Sequence, residues 1–173
     1  TIPLDDLPHE RVWMEMEKLL RSRKPSLGLM AALEMGVIER LFPELTALVG
    51  CDGSCDDAWA RTLRALDRAV KLTLGLPRPE RLTVMLAVLC HALGRPATRR
   101  VCFRGQEEAA VEATHRFLDR FNLHRIDGCR VREQVVALVA NHLKPSQLFQ
   151  SRDRVTDGEI RRLARKCDLE LLY

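Results

Sequence analysis

Residues 81–93 (RLTVMLAVLCHAL) constrain this chain more than any other stretch: after Arg81 no acidic or permanently basic side chain occurs until Arg95. Leu, Met and Ala dominate the run, Pro79 and Glu80 open it, and Gly94 and Pro96 stop it. That pattern reads as a helix apolar on every face, and such a helix must be buried on every side. The rest of the chain then has to supply amphipathic helices to surround it. Composition agrees: Leu (28) and Ala (16) are abundant, whereas Val, Ile and Thr together number 25 and aromatics 8. Good helix formers outweigh strand formers, so an all-α fold is expected.

Surrounding helices can be placed from spacing and punctuation. Residues 7–20 carry Val12, Met16, Leu19 and Leu20 at helical intervals, with Pro8 in a first turn. The RSRKP stretch at 21–25 breaks that helix, and Ser26 is placed to cap a second one through Met35. Gly36 is placed to end it in a left-handed conformation. A short apolar segment, 37–45, follows with Pro43 inside it. The turn-rich GCDGSCDD at 50–57 is the best candidate boundary, and Asp56 or Asp57 can cap a helix over 58–74. Helical spacing recurs over 106–121 and 128–143, the latter ended by Pro145. Thr156, with Glu159 at the capping-box position, opens a last helix through Arg165. We expect a neck-like helical unit (1–50), a larger helical domain (51–150) and the start of a further helical body (151–173).

Several classes drop out. No apolar run approaches the roughly 18 residues needed to span a bilayer, and no signal segment opens the chain. Six cysteines are scattered, and only Cys51 and Cys55 are close, with no second pair to complete a zinc site. A reduced, cytoplasmic setting is expected. The chain starts at Thr1 rather than Met and stops at Tyr173 within an apolar run, so a piece of a longer polypeptide is expected. Net charge is only +4, but Arg95, Arg99, Arg100 and Arg104 cluster in the RPATRRVCFRG loop, and Lys144 follows a helix expected to pack nearby. Guanidinium groups grip phosphate through paired hydrogen bonds, so these five residues are the candidate RNA- or phosphate-binding set. Arg161, Arg162, Arg165 and Lys166 read as a solvated helix face, and no aromatic platform for stacking bases accompanies either patch.

The order of motifs carries a resemblance. PHERVWMEMEKLL, the KPSLGL turn and IERLFPEL, within residues 8–45, resemble the neck of bacterial tRNA nucleotidyltransferases, the CCA-adding enzymes and their poly(A) polymerase relatives. DDAWARTLRALDRA, LTVMLAVLCHALGRPATR, FRGQEEAAVEATHRFLDRFNL and VVALVANHLKP then resemble the HD domain of one branch of that family. TDGEIRRLARKCDLELLY is similar to the start of the helical body that follows. The resemblance implies tRNA or another RNA as partner, and a nucleotidyltransferase head in cis that uses Mg. This chain itself shows no cofactor motif.

The resemblance also implies where an HD metal site would lie. HD domains hydrolyse phosphoesters with a metal held by His and Asp. Here Arg61 stands at the first His position, His91 is kept, Ala92 replaces the Asp, Gln106 replaces a His, and His142 is kept. Arginine has no lone pair for a metal and would repel one. No catalytic residue and no metal ligand is therefore assigned, and His91 and His142 read as histidines satisfied near the core. His115 reads as solvent-facing, and His9 and His124 lie near helix ends without an identifiable partner. The expected role is a non-catalytic neck and HD-like region that supports the head and positions tRNA. The alternatives are an HD-type metal phosphohydrolase acting on nucleotide or cyclic phosphates, and a regulatory or protein-interaction module.

Overall fold

The structure, a computed structural model, describes residues 7–51, 57–96, 106–151 and 155–172, with the side chains of residues 106, 169 and 170 outside the description. These residues form α1 His9–Arg21, α2 Pro25–Glu34, α3 Val37–Leu41, α4 Pro43–Thr46, α5 Ala58–Leu72 and α6 Arg78–Cys90. They continue with α7 Gln106–Asp119, α8 Val131–Asn141, α9 Lys144–Gln150, α10 Asp157–Ala164 and α11 Leu169–Leu172. Among the described residues the fold is all-α, with a lone bridge between Ile126 and Cys129 as its β feature.

α6 is the element around which the others assemble, as its sequence demands. Leu82, Met85, Leu86, Leu89 and Cys90 have no exposed surface. The helix packs against α5, α8, α1, α7 and α11. Threonines inside this apolar setting are satisfied locally: the Thr83 hydroxyl donates to the Pro79 carbonyl at 2.8 Å, and that of Thr114 to Ala110 at 2.7 Å. This bond one turn back removes the cost of burying a hydroxyl without a partner.

Caps and turns decide where the helices begin. Asp57, not Asp56, is the N-cap of α5: its Oδ1 accepts from the Ala60 amide at 2.9 Å, and its Oδ2 accepts from the Gly50 amide. One buried carboxylate therefore starts α5 and ties down the turn that ends the first fifty residues. Asp57→Ala is expected to lower unfolding free energy by about 1–2 kcal/mol, measured by urea denaturation. A change below about 0.3 kcal/mol would show the cap to be idle. The predicted capping box of α10 is present, with Thr156 and Glu159 bonded reciprocally. Gly36 takes φ 73° at the turn into α3, as its position after α2 requires.

Three sequence expectations need correction. Ser26 does not cap α2; Pro25 occupies its first turn, where a missing N–H costs nothing, and Lys24 is the cap residue. The Ser26 amide and hydroxyl instead donate to the Asp67 carboxylate of α5, at 3.2 and 2.7 Å. Pro145 does not end α8, which stops at Asn141; it sits in the first turn of α9, for the same reason. His9 has a partner after all: its Nδ1 lies 2.6 Å from the Arg120 carbonyl, 111 residues away.

The first four helices are bound to the rest by long-range contacts. Arg78, at the start of α6, reaches the Glu17 carboxylate of α1 with two bonds of 2.8 Å, and Asp127 with bonds of 2.8 and 2.9 Å. Arg120 holds Glu44 with bonds of 2.8 and 3.2 Å. Between these seams the rings of Trp13, Phe42, Phe117 and Phe121 form a chain with centroid spacings of 5.2–5.6 Å. Gly28 lets α2 close on α1, since a Cβ there would sit 3.1 Å from the Leu19 Cγ. One buried cluster runs from Met16 in α1 to Leu171 in α11.

Candidate functional site

α6 and α8 pack side by side, and each is followed immediately by a histidine. The two rings, His91 and His142, meet edge-on with centroids 5.7 Å apart. In each case Nδ1 faces a backbone carbonyl one turn back: Val88 at 2.6 Å and Val139 at 2.7 Å. A carbonyl oxygen only accepts, so Nδ1 carries the proton and the neutral ring has its lone pair on Nε2. Burial is the main cause that pushes the His91 pKa below the usual histidine range. The bond to Val88 opposes it, while the positive charges of Arg95 and Arg61 and the neighbouring His142 lower it further.

The rings border a cavity of about 240 Å³, walled by Val84, Val88, Leu138 and Val139 and closed by Leu171 and Leu172 of α11. A wider cleft of about 620 Å³ opens beside it and shares His91, Val84, Val88, Leu171 and Leu172. Its other wall is α5, which contributes Arg61, Arg64 and Arg68. Spacings of three and seven residues place these three side chains within one arc of the helix. No aspartate or glutamate is among the described residues that line the cleft.

The donor chemistry decides what such a site can do. A metal held in the HD manner needs imidazole and carboxylate ligands converging on one point. Among the described residues no group of three His, Cys, Asp or Glu side chains is placed to hold a metal. Arg61 lies in the same cleft as His91, and Ala92, at the carboxylate's expected position, is a buried core residue. The residues present do not fit that metal, and no hydrolytic step is built on one. Thr73 is the hydroxyl on the described lining, and it is spent on the Ala69 carbonyl at 2.8 Å. What remains is a cationic wall facing an apolar one.

The five basic residues expected to meet RNA fare unequally. Arg95 is exposed just beyond α6, close enough to add to the field at His91. Arg99, Arg100 and Arg104 fall outside the described residues, as does the side chain of Gln106. Lys144 is half-buried at the start of α9, where its Nζ donates to Gln147 at 3.2 Å. His91 and His142, 51 positions apart in sequence, are in ring contact, and Arg61 shares their cleft. Arg64 and Arg68 join that cleft without a motif to mark them, and their helical spacing from Arg61 is the one sequence signal for it.

The remaining candidates are inert or solvated. His115 is exposed, 3.2 Å from an Arg132 nitrogen. Arg161, Arg162, Arg165 and Lys166 are all exposed. Cys90, Cys129 and Cys167 are free thiols, and burial pushes the Cys90 thiol far above its usual range. No helix among the described residues is long and apolar enough to cross a membrane.

Comparison with known proteins adds a second line. Residues 3–48 match the family described as the probable RNA and SrmB-binding site of polymerase A. The multifunctional CCA protein of Pasteurella multocida is 34% identical over 128 residues, which is 69% of this chain and 30% of that protein. That of Teredinibacter turnerae is 30% identical over 155 residues, covering 85% of this chain and 35% of that protein. That of Verminephrobacter eiseniae is 30% identical over 172 residues, covering 95% and 38%. The chain thus spans about a third of the length of these curated relatives. No solved structure matches the chain.

Proposed function

Because the chain belongs to the CCA-adding enzyme family over the region it shares with those relatives, we propose that it serves as a non-catalytic neck and HD-like region that supports a nucleotidyltransferase head and positions tRNA. One observation carries this reading most directly. The segment matching an RNA-binding family, residues 3–48, coincides with the unit α1–α4, and that unit is fastened to the body by the Arg78 and Arg120 seams and the aromatic chain. A part so anchored can transmit support between a head on one side and a helical body on the other. The tRNA backbone meets Arg95, Arg99, Arg100, Arg104 and Lys144 on this reading. Nucleotidyl transfer and its Mg belong to the head, and the setting is the cytoplasm.

A metal phosphohydrolase at the histidine pair is the weaker reading, because Arg61 occupies the cleft and Ala92 stands where a carboxylate is needed. A regulatory or interaction module would share the fold but not the affinity for RNA.

Titration of labelled tRNA with the 173-residue chain separates these. Saturable binding is expected at about 50 mM salt, weakening roughly 40-fold by about 200 mM if three phosphates are neutralised. Binding that is absent at the lower salt, or indifferent to salt, would refute the RNA role.

A further inference from the structure

We propose that the cleft between α5 and α6 is a metal-free receptor for a phosphate group, with Arg61, Arg64 and Arg68 supplying the positive charge. This goes beyond the tRNA-positioning role, which places RNA contact on a different set of residues. A phosphoester bound at a metal site is held by the cation. Here a guanidinium with a permanent charge stands in the same cleft as His91, and two more follow it along the helix.

Geometry supports a single binding wall. From Arg61 to Arg68 the helix rises about 10 Å, and all three residues line one cleft of about 620 Å³. That is room for a small organic phosphate and not for a folded domain. Each guanidinium carries five donors, so one already engaged within the protein keeps others for a phosphate. The facing wall of Val84, Val88, Leu171 and Leu172 is apolar. It offers a surface for whatever carries the phosphate. The cleft binds and does not cleave: Thr73 is committed to the backbone, and no metal ligand set is assembled among the described residues. Phosphate bears its charge next to His91, whose surroundings of Arg61, Arg95 and His142 are positive or neutral. The His91 ring is therefore a built-in reporter.

The test is a titration of the full chain with inorganic phosphate at constant ionic strength, following the His91 ring protons by NMR and heat by calorimetry. Saturable shifts at His91 with millimolar affinity are expected. The pair Arg64→Gln with Arg68→Gln is expected to weaken binding at least tenfold. The pair Arg161→Gln with Arg162→Gln, on the exposed face of α10, is expected to leave it unchanged. Both double variants should unfold at the temperature of the parent, since these side chains are on the surface or the cleft wall. Adenosine monophosphate and a 5′-phosphorylated trinucleotide distinguish the carrier: whichever binds more tightly than inorganic phosphate names the source, and either result supports the site. No saturable shift at His91 up to about 50 mM phosphate, weaker than any binding of functional use, overturns the inference. Equal weakening by the two double variants overturns it as well. Phosphate binding that persists in a chain without tRNA affinity would refute the tRNA role and leave this site standing; the converse refutes this site alone.

Discussion

Phe117→Ala is expected to lower the unfolding free energy by about 3–5 kcal/mol. The side chain is wholly buried and stands 5.4 Å from Phe42 and 5.2 Å from Phe121, measured between ring centroids. Truncation removes the apolar contact of a phenyl ring, leaves a cavity, and takes away one of the two rings that Phe42 meets, Phe121 at 5.5 Å being the other. In a protein of this size that loss corresponds to a melting temperature lower by about 6–20 °C. Urea denaturation followed by circular dichroism measures it. Phe117→Leu keeps most of the volume and should cost about half as much or less. A loss below about 1.5 kcal/mol for the alanine variant would mean that the rings do not carry the connection between the first helices and the body. A second consequence follows from the placement of the ring. If α1–α4 lose their hold, protease sensitivity should rise first within those helices, because local opening exposes the least-secured unit.

Arg78→Ala should cost about 2–3 kcal/mol and should also change how stability responds to acid. Glu17 is only 8% exposed, and its carboxylate receives two bonds from Arg78 and one from Arg21. The bonds from Arg78 are the main reason that its pKa lies below the usual carboxylate range, with burial acting the other way. A depressed carboxylate pKa contributes stability above the unfolded-state value, about 4.3, and loses it as pH falls through the folded-state value. The parent should therefore lose stability on acidification below about pH 4.5. Without Arg78, only Arg21 still opposes burial, and Glu17 takes up its proton more readily in the folded state. The cost of Arg78→Ala should accordingly shrink as pH falls from 6 toward 3. Arg78→Lys should recover part of the charge and little of the paired geometry. A cost that does not vary with pH would assign the effect to lost packing of the arginine stem instead of the ion pair.

The helices themselves were legible because their signals are local. Apolar spacing, Pro79 at the opening of α6, Gly36 at a left-handed turn and the Thr156–Glu159 box each act within a few residues, and each is present. Local signals mislead where they have a distant competitor. Ser26 looks like a cap from sequence, but Asp67 on another helix offers a charged acceptor for both its amide and its hydroxyl. Pro145 looks like a stop, yet it can equally begin a helix, and the chain turns at His142 and Leu143 to do so. His9 meets the backbone carbonyl of Arg120, 111 residues away, and no local pattern marks such a partner. The site was half legible. Arg61, His91, Ala92 and His142 could be named from motif order, whereas helical spacing puts Arg64 and Arg68 on one arc with Arg61 without saying what that arc faces. Their interest depends on which face of α5 is turned toward α6.

By itself the sequence determined that this chain is a set of helices packed around α6, with a histidine at the end of each of two of them. It did so because helix formation, capping and burial of an apolar stripe follow from neighbours a turn or two away. The tertiary structure alone decided that Glu17, Arg78 and Asp127 form one network, that four aromatic rings bridge the first helices to the body, and that three arginines line the histidine cleft. Those facts depend on how helices dozens of residues apart are rotated against each other. That rotation is set by the packing of whole side-chain surfaces rather than by any short stretch of sequence.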